Sequence, residues 1–166
     1  SPTSTAEQLA AAGRLLAEHK GVYLHTHLAE NIDEIKWVKT LFPEAKDYLD
    51  VYDQAGLLGK RSVFAHGIHL CDRECERLAT SDSAIAHCPT SNLFIGSGLF
   101  PMARLQNHGI KIGMGTDVGG GTSFNMLQTL ADSYKMQQLQ GHNLSPEQSF
   151  YLATLGGATA LDLDDK

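Results

Sequence analysis

Apolar positions along the chain change period again and again. Leu9, Ala12, Leu16 and Ala17, with Gly13 among them, recur at helical spacing up to His19. Ser4 or Thr5 is placed to cap this first helix, and Gly21 to end it. Val22-Tyr23-Leu24-His25-Thr26-His27 then reads as a short buried strand. Helical spacing returns from Asn31 to Leu41, through Ile32, Ile35, Trp37 and Val38, and Pro43 stops it. A further helix over 45–55 carries Tyr48, Leu49 and Tyr52 on one face, with Gly56 as its C-terminal cap. The same exchange of periods continues through a strand over Ser62–His66, a helix over Asp72–Thr80 and a strand over Ala84–His87. A loop rich in Pro, Ser, Asn and Gly follows, then a helix near Phe100–Asn107 and a strand over Ile110–Met114. After a glycine loop comes a long helix from about Phe124 to Gln140. A last helix starts at Ser145, its cap, with Pro146 at the first helical position.

Four strands alternating with helices predict parallel βα units, an α/β fold. The strand cores are near-continuous apolar runs, as expected where both faces of a sheet are covered. Neither a linker nor a low-complexity tract interrupts the 166 residues, so residues 1–166 read as one domain.

Composition narrows the classes. With 42% hydrophobic and 19% charged residues the chain has material for a buried core. A formal net charge of −6 argues against nucleic acid and against an anionic membrane surface as partners. No apolar run approaches the roughly 18 residues of a membrane span, and the first residues lack a signal-peptide pattern. Three cysteines, Cys71, Cys75 and Cys88, suit a reducing, cytoplasmic setting. Cys71 and Cys75 are spaced to share a helical face and could bind metal. No second Cys or His pair at finger spacing follows, so structural thiols are expected.

The strand ends carry the candidate chemistry. The first ends His25-Thr26-His27 with Glu30 three residues on, the second at His66, the third at His87-Cys88-Pro89, and the fourth runs into Gly115-Thr116-Asp117. In a (β/α) barrel, polar groups at the C-terminal strand ends line the active site. One such histidine is ordinarily a hydrogen-bonded structural residue; four segments in succession point to a metal or catalytic site. Imidazole and carboxylate are good Zn²⁺ ligands, and a nearby carboxylate such as Glu30 can pass protons. Glu30 could equally be a first-turn acid favoured by a helix dipole.

The stretches Thr26-His27-Leu28-Ala29-Glu30-Asn31, Phe64-Ala65-His66-Gly67, Ala86-His87-Cys88-Pro89-Thr90-Ser91-Asn92-Leu93 and Gly113-Met114-Gly115-Thr116-Asp117-Val118-Gly119-Gly120-Gly121 resemble the metal-dependent amidohydrolase superfamily. The Ser91-Asn92-Leu93 and Gly119-Gly120 context resembles its guanine-deaminating branch. The resemblance covers nearly the whole chain and implies the C-terminal half of a TIM-like (β/α)8 barrel, parallel strands five to eight with flanking helices. It implies hydrolytic deamination of guanine to xanthine and ammonia, with Zn²⁺ as cofactor and iron as the alternative. His27 and Asp117 would be metal ligands, and Glu30 the proton shuttle. His66 would orient or polarise water or substrate, with the metal within its reach, and Asp117 would double as general base. His27, Glu30 and His66 would touch the purine. His87 would support the site from behind or serve a structural role, and His25 would not be a ligand. A homodimer is implied for the full-length enzyme. The family's His-x-His pair of strand one and its guanine-holding Arg-Phe pair fall outside this sequence. The 166-residue chain alone is therefore expected to bind metal weakly, to leave guanine unconverted, and to expose sheet edges. Alternative readings are another amidohydrolase acting on a related heterocycle, and a non-catalytic half-barrel.

Overall fold

The computed structural model describes residues 2–165. Among these residues the sheet has four strands in the order β1-β2-β3-β4: β1 Leu24–Leu28, β2 Ser62–His66, β3 Ala84–His87 and β4 Lys111–Met114. All neighbours are parallel, so the α/β expectation holds. His27 pairs with Ala65, Leu28 with His66, and His87 with Met114, which brings the four C-terminal tips to one end of the sheet.

The helices are α1 Ala6–Glu18, α2 Ile32–Leu41, α3 Tyr48–Gln54, α4 Asp72–Thr80, α5 Pro89–Phe94, α6 Met102–Asn107, α7 Met126–Leu139, α8 Pro146–Ala153 and α9 Leu155–Ala160. Local chemistry sets most of their starts. Thr5 and Gln8 form a capping box on α1, Asn31 and Asp47 cap α2 and α3, and Ser145 with Gln148 caps α8. Gly56, at a φ of 71°, closes α3 as the sequence predicts.

Four expectations need correction. The Pro/Ser/Asn/Gly stretch after His87 is not all loop: Pro89–Phe94 is helical, with Pro89 in the first turn and Thr90, Ser91 and Asn92 buried. Turn-forming residues are held helical there by packing, which no local pattern displays. A separate helix, α9, follows α8 and lies against β4. Helix α3 begins at Tyr48 rather than Ala45, because Asp47 takes the cap by accepting from Asp50 N at 2.9 Å. Strand β1 begins at Leu24 rather than Val22, since Leu24 pairs with Ser62, where β2 itself begins.

The main core lies on the helix side of the sheet. Phe64 and Ile85 pack there with Leu49, Tyr52, Leu78 and Leu105. The opposite face is small and shallow: Val63, Ala84 and Ala160 form a minor cluster. A cleft of about 320 Å³ opens over it, between Leu24, His25, Ala86, Gly113 and Gly115. β1 and β4 stand at the two sheet edges. No helix among the described residues is long and apolar enough to cross a membrane.

Helix α1 approaches the end of α3 so closely that a Cβ on Gly13 would meet the Ala55 carbonyl oxygen at 1.9 Å. Gly13→Ala is expected to destabilise the fold by about 1–3 kcal/mol, the usual range for overpacking, despite alanine's better helix propensity. Urea unfolding measures it; a gain in stability would mean that α1 is free to move away.

Candidate metal and catalytic site

The strand tips become a site through irregular backbone. Among the described residues, five non-glycine residues have positive φ: Ala29, His66, Asp82, Asp117 and Asp162. Three of them lie at the strand tips, Ala29 at 47°, His66 at 76° and Asp117 at 47°. Such conformations cost on the order of 1–3 kcal/mol each and persist only where the surroundings impose them. Their effect is visible at β2. Ala65 faces the open side with His25 and His27, so strict alternation would send His66 to the helix side with Phe64. The left-handed turn at His66 redirects its ring toward the tips of β1 and β4.

The consequence is convergence. One ligand atom each of His27, His66 and Asp117 lies within 4.8 Å of the others. The His27 and His66 rings stack with centroids 5.3 Å apart. His66 Nε2 lies 3.4 Å from Glu30 Oε2 and 3.9 Å from Asp117 Oδ2. A cleft of about 140 Å³ opens beside them, lined by His25, His27, Cys88 and Asp117 among others.

Supporting groups fix these side chains. Tyr52 donates its hydroxyl to the His27 carbonyl at 2.9 Å. Glu34 accepts from Glu30 N at 3.1 Å and from the Tyr48 hydroxyl at 2.9 Å. Ser97 donates to Glu30 Oε1 at 2.9 Å, which leaves Oε2 facing His66. Asn92 Nδ2 lies 2.9 Å from His66 Nδ1. Burial raises the Glu30 carboxyl above its ordinary value; the Ser97 hydroxyl works against this, and the neighbouring Glu34 and Asp117 charges add to it. Burial pushes the His66 imidazole down to about 4, with Asp117 opposing, so the ring is neutral at pH 7.

The structure thus brings together His27, Glu30, His66 and Asp117. His25 lies on the same face as His27 but outside this group. His87 points the other way: it is fully buried, stacks on Phe100 with centroids 4.2 Å apart, and meets Ser133 Oγ at 3.1 Å. The third strand therefore sends no side chain of its own tip into the group; its contribution comes through α5, by Asn92. Cys71 is exposed and precedes α4 as its cap residue, while Cys75 is buried; both are free thiols. In the sequence Asn92 stands out only as part of the Ser91-Asn92-Leu93 motif, and neither Ser97 nor Glu34 is among the candidate site residues. Glu34, four residues after Glu30 on a predicted helix, carried a spacing signal; Ser97 carried none.

Burial lowers the His87 imidazole to about 3, against about 6.5 in an unfolded chain. The neutral ring is favoured in the fold, so its stabilisation is intact above pH 6.5 and is lost as pH falls toward 3. Going from pH 7 to pH 4 should cost about 3 kcal/mol from this group alone. In His87→Gln the stability curve should be flatter by that amount over the same interval; an unchanged slope by urea unfolding would refute it.

A divalent cation fits this donor set. His66 Nε2 is buried and has no hydrogen-bond partner among the described residues, and it faces the point that His27 and Asp117 share. Imidazole and carboxylate are the ligand types that zinc takes in catalytic centres.

The amidohydrolase family model matches residues 1–166. This chain belongs to the amidohydrolase family. It is 57% identical over 164 residues to guanine deaminase of Escherichia coli (strain K12), covering 99% of this chain and 37% of that protein. The solved E. coli guanine deaminase superposes with a TM-score of 0.98 over 99% of this chain and 38% of its own. Guanine deaminase from C. acetobutylicum, solved with guanine in its active site, is 32% identical with a TM-score of 0.91, covering 97% of this chain and 40% of that one. An adenosine deaminase from Xanthomonas campestris, solved with bound zinc, is 25% identical with a TM-score of 0.89, over 99% and 38% of the two chains. The chain thus spans little more than a third of the relatives it matches.

Proposed function

We propose that this amidohydrolase segment is the C-terminal half of a barrel, strands five to eight, and that it serves hydrolytic deamination of guanine to xanthine and ammonia. The observation that carries the reading is the meeting of His27, His66 and Asp117 within 4.8 Å, with Glu30 beside them. The guanine-bound relative and the 57% identity to a guanine deaminase support the substrate. The zinc-bound relative supports Zn²⁺ as the ion.

In this reading His27 and Asp117 hold the metal. A zinc ion there supplies Lewis acidity, lowering the pKa of adjacent water toward about 7. Asp117 takes the proton that the attacking water loses. Burial favours the protonated form of Glu30, which hands its proton to a ring nitrogen of the purine; the hydroxyl proton of the adduct then passes through Glu30 to the departing ammonia, and the proton held by Asp117 returns to Glu30. Ser97 holds one Glu30 oxygen so that the other stays aimed at the reacting atoms. The shallow Ala- and Gly-lined face of the sheet leaves room for the complementary half of the barrel.

The test transplants this chain into E. coli guanine deaminase in place of the aligned segment and follows xanthine formation and zinc content. The transplanted enzyme should deaminate guanine with one zinc per chain. The 166-residue chain alone should bind zinc weakly and form no xanthine, because a catalytic zinc site needs at least three protein ligands. A zinc-loaded transplant inert toward guanine would refute the substrate; tight zinc binding with turnover by the isolated chain would refute the half-barrel reading. Ser97→Ala in the transplant should lower kcat by roughly tenfold, the worth of one charge-assisted hydrogen bond, with KM nearly unchanged. Equal kcat values would show that Ser97 does not position Glu30.

A further inference from the structure

Helix α2 makes a contact at its N-terminus that sets it apart from three other helices of the chain, and the contact falls on Glu30. In a capping box the side chain at the third helical position accepts from the backbone N–H of the cap residue. Gln8, Glu74 and Gln148 do this on α1, α4 and α8, accepting from Thr5 N, Cys71 N and Ser145 N at 2.8, 2.8 and 3.0 Å. Glu34 holds the same position on α2, whose cap is Asn31. It accepts instead from Glu30 N, one residue before the cap, at 3.1 Å.

The turn before the helix gives this displacement its consequence. Ala29 has a φ of 47°, so the chain leaves the line of β1 there. The Ala29–Glu30 peptide is held at both ends. The Ala29 carbonyl accepts from Ile68 N at 3.2 Å and from His69 N at 3.1 Å, on the loop that follows β2. The Glu30 N–H goes to Glu34 Oε2, and Glu34 is fixed in turn from α3, because the buried Tyr48 donates its hydroxyl to Oε1 at 2.9 Å. A peptide next to a left-handed residue is strained, and rotating it would relieve that strain. Rotation would also swing the Glu30 side chain away from its place, where Ser97 donates to Oε1 at 2.9 Å and Oε2 lies 3.4 Å from His66 Nε2. Ser97 thus holds the far end of this side chain, and Glu34 holds its root.

We propose that Glu34 is a positioning residue for Glu30: its carboxylate, held by Tyr48, pins the Glu30 backbone so that the Glu30 side chain stays beside the point that His27, His66 and Asp117 share. Glu34 acts by accepting a hydrogen bond, so an uncharged acceptor of the same shape should serve. This inference rests on the reading of the site given above, yet the placement of Glu30 is measured without guanine.

The test compares Glu34→Ala, Glu34→Gln and Tyr48→Phe in the transplanted enzyme. In Glu34→Ala the Glu30 amide should exchange with solvent deuterium at least about tenfold faster than in the unsubstituted enzyme, and in the crystal the Glu30 carboxyl should have left Ser97 and His66. Its kcat for guanine should fall roughly tenfold, the worth of one charge-assisted hydrogen bond, with KM within about twofold and zinc content unchanged. Glu34→Gln keeps an oxygen for Glu30 N, so exchange, placement and kcat should return to within about threefold of the unsubstituted enzyme. Tyr48→Phe keeps the buried ring and loses only the hydroxyl; its exchange rate and kcat should fall between those of Glu34→Ala and the unsubstituted enzyme, which keeps the proposal testable should Glu34→Ala fail to fold. An unmoved Glu30 carboxyl with unchanged exchange, a loss in Glu34→Gln as large as in Glu34→Ala, a rise in KM with kcat unchanged, or a lowered melting temperature with kcat unchanged each overturns the proposal. If Glu30 is displaced as stated but the unsubstituted transplant leaves guanine untouched, the positioning role stands and the substrate assignment fails.

Discussion

Glu30→Gln in the transplanted enzyme is expected to lower kcat for guanine by roughly 10³- to 10⁴-fold, the upper range of what a positioned acid–base group contributes. The substitution keeps size and the capacity to accept from Ser97, but it removes the proton that Glu30 would carry. Zinc content should be unchanged, because Glu30 stands beside the His27–His66–Asp117 group and not within it. Metal analysis and xanthine formation on the same sample separate the two effects. A kcat within tenfold of the unsubstituted enzyme would reduce Glu30 to a carboxylate that only precedes α2 and bonds Ser97. Equal loss of zinc and activity would make it a ligand.

Asp117→Asn carries the second largest effect, and it falls on the metal. The change removes the carboxylate charge while preserving shape and backbone. Asp117 sits at a φ of 47°, a region asparagine tolerates as readily as aspartate, so strain is not a competing explanation. The loop that holds it is tightly closed: Gly121 N donates to the Asp117 carbonyl at 2.5 Å, and a Cβ at Gly121 would meet the Thr116 carbonyl oxygen at 2.0 Å. Zinc affinity should fall by at least about 100-fold, the larger end of what even outer partners of a metal site contribute, and turnover should fall with it. Competition against a chromogenic chelator reads the affinity, and circular dichroism confirms the fold. Zinc binding unchanged in Asp117→Asn would remove Asp117 from the ligand set and with it the proposed chemistry.

Much of the architecture was legible because the signals are local. Strands Ser62–His66 and Ala84–His87 and helix Asp72–Thr80 have the bounds their apolar runs predict, and Thr5, Ser145 and Gly56 act as the caps their types imply. Helix α5 was not legible. Its Pro, Ser and Asn residues favour turns in isolation and are helical only because Thr90, Ser91 and Asn92 are packed inside. Ser97 was not legible either, since its partner Glu30 lies 67 residues away.

The order of residues alone determined that four parallel strands would end in His27, His66, His87 and Asp117, because hydrophobic period and capping chemistry act within a few residues. Which of those ends share a point was decided by the tertiary structure. Alternation along a regular strand would have left His66 on the helix side. The left-handed backbone at His66 and Asp117, stabilised by surrounding packing, turned both toward His27, while His87 continued regularly into the core. Such conformations are unfavourable in a free chain and exist only where long-range contacts outweigh their strain.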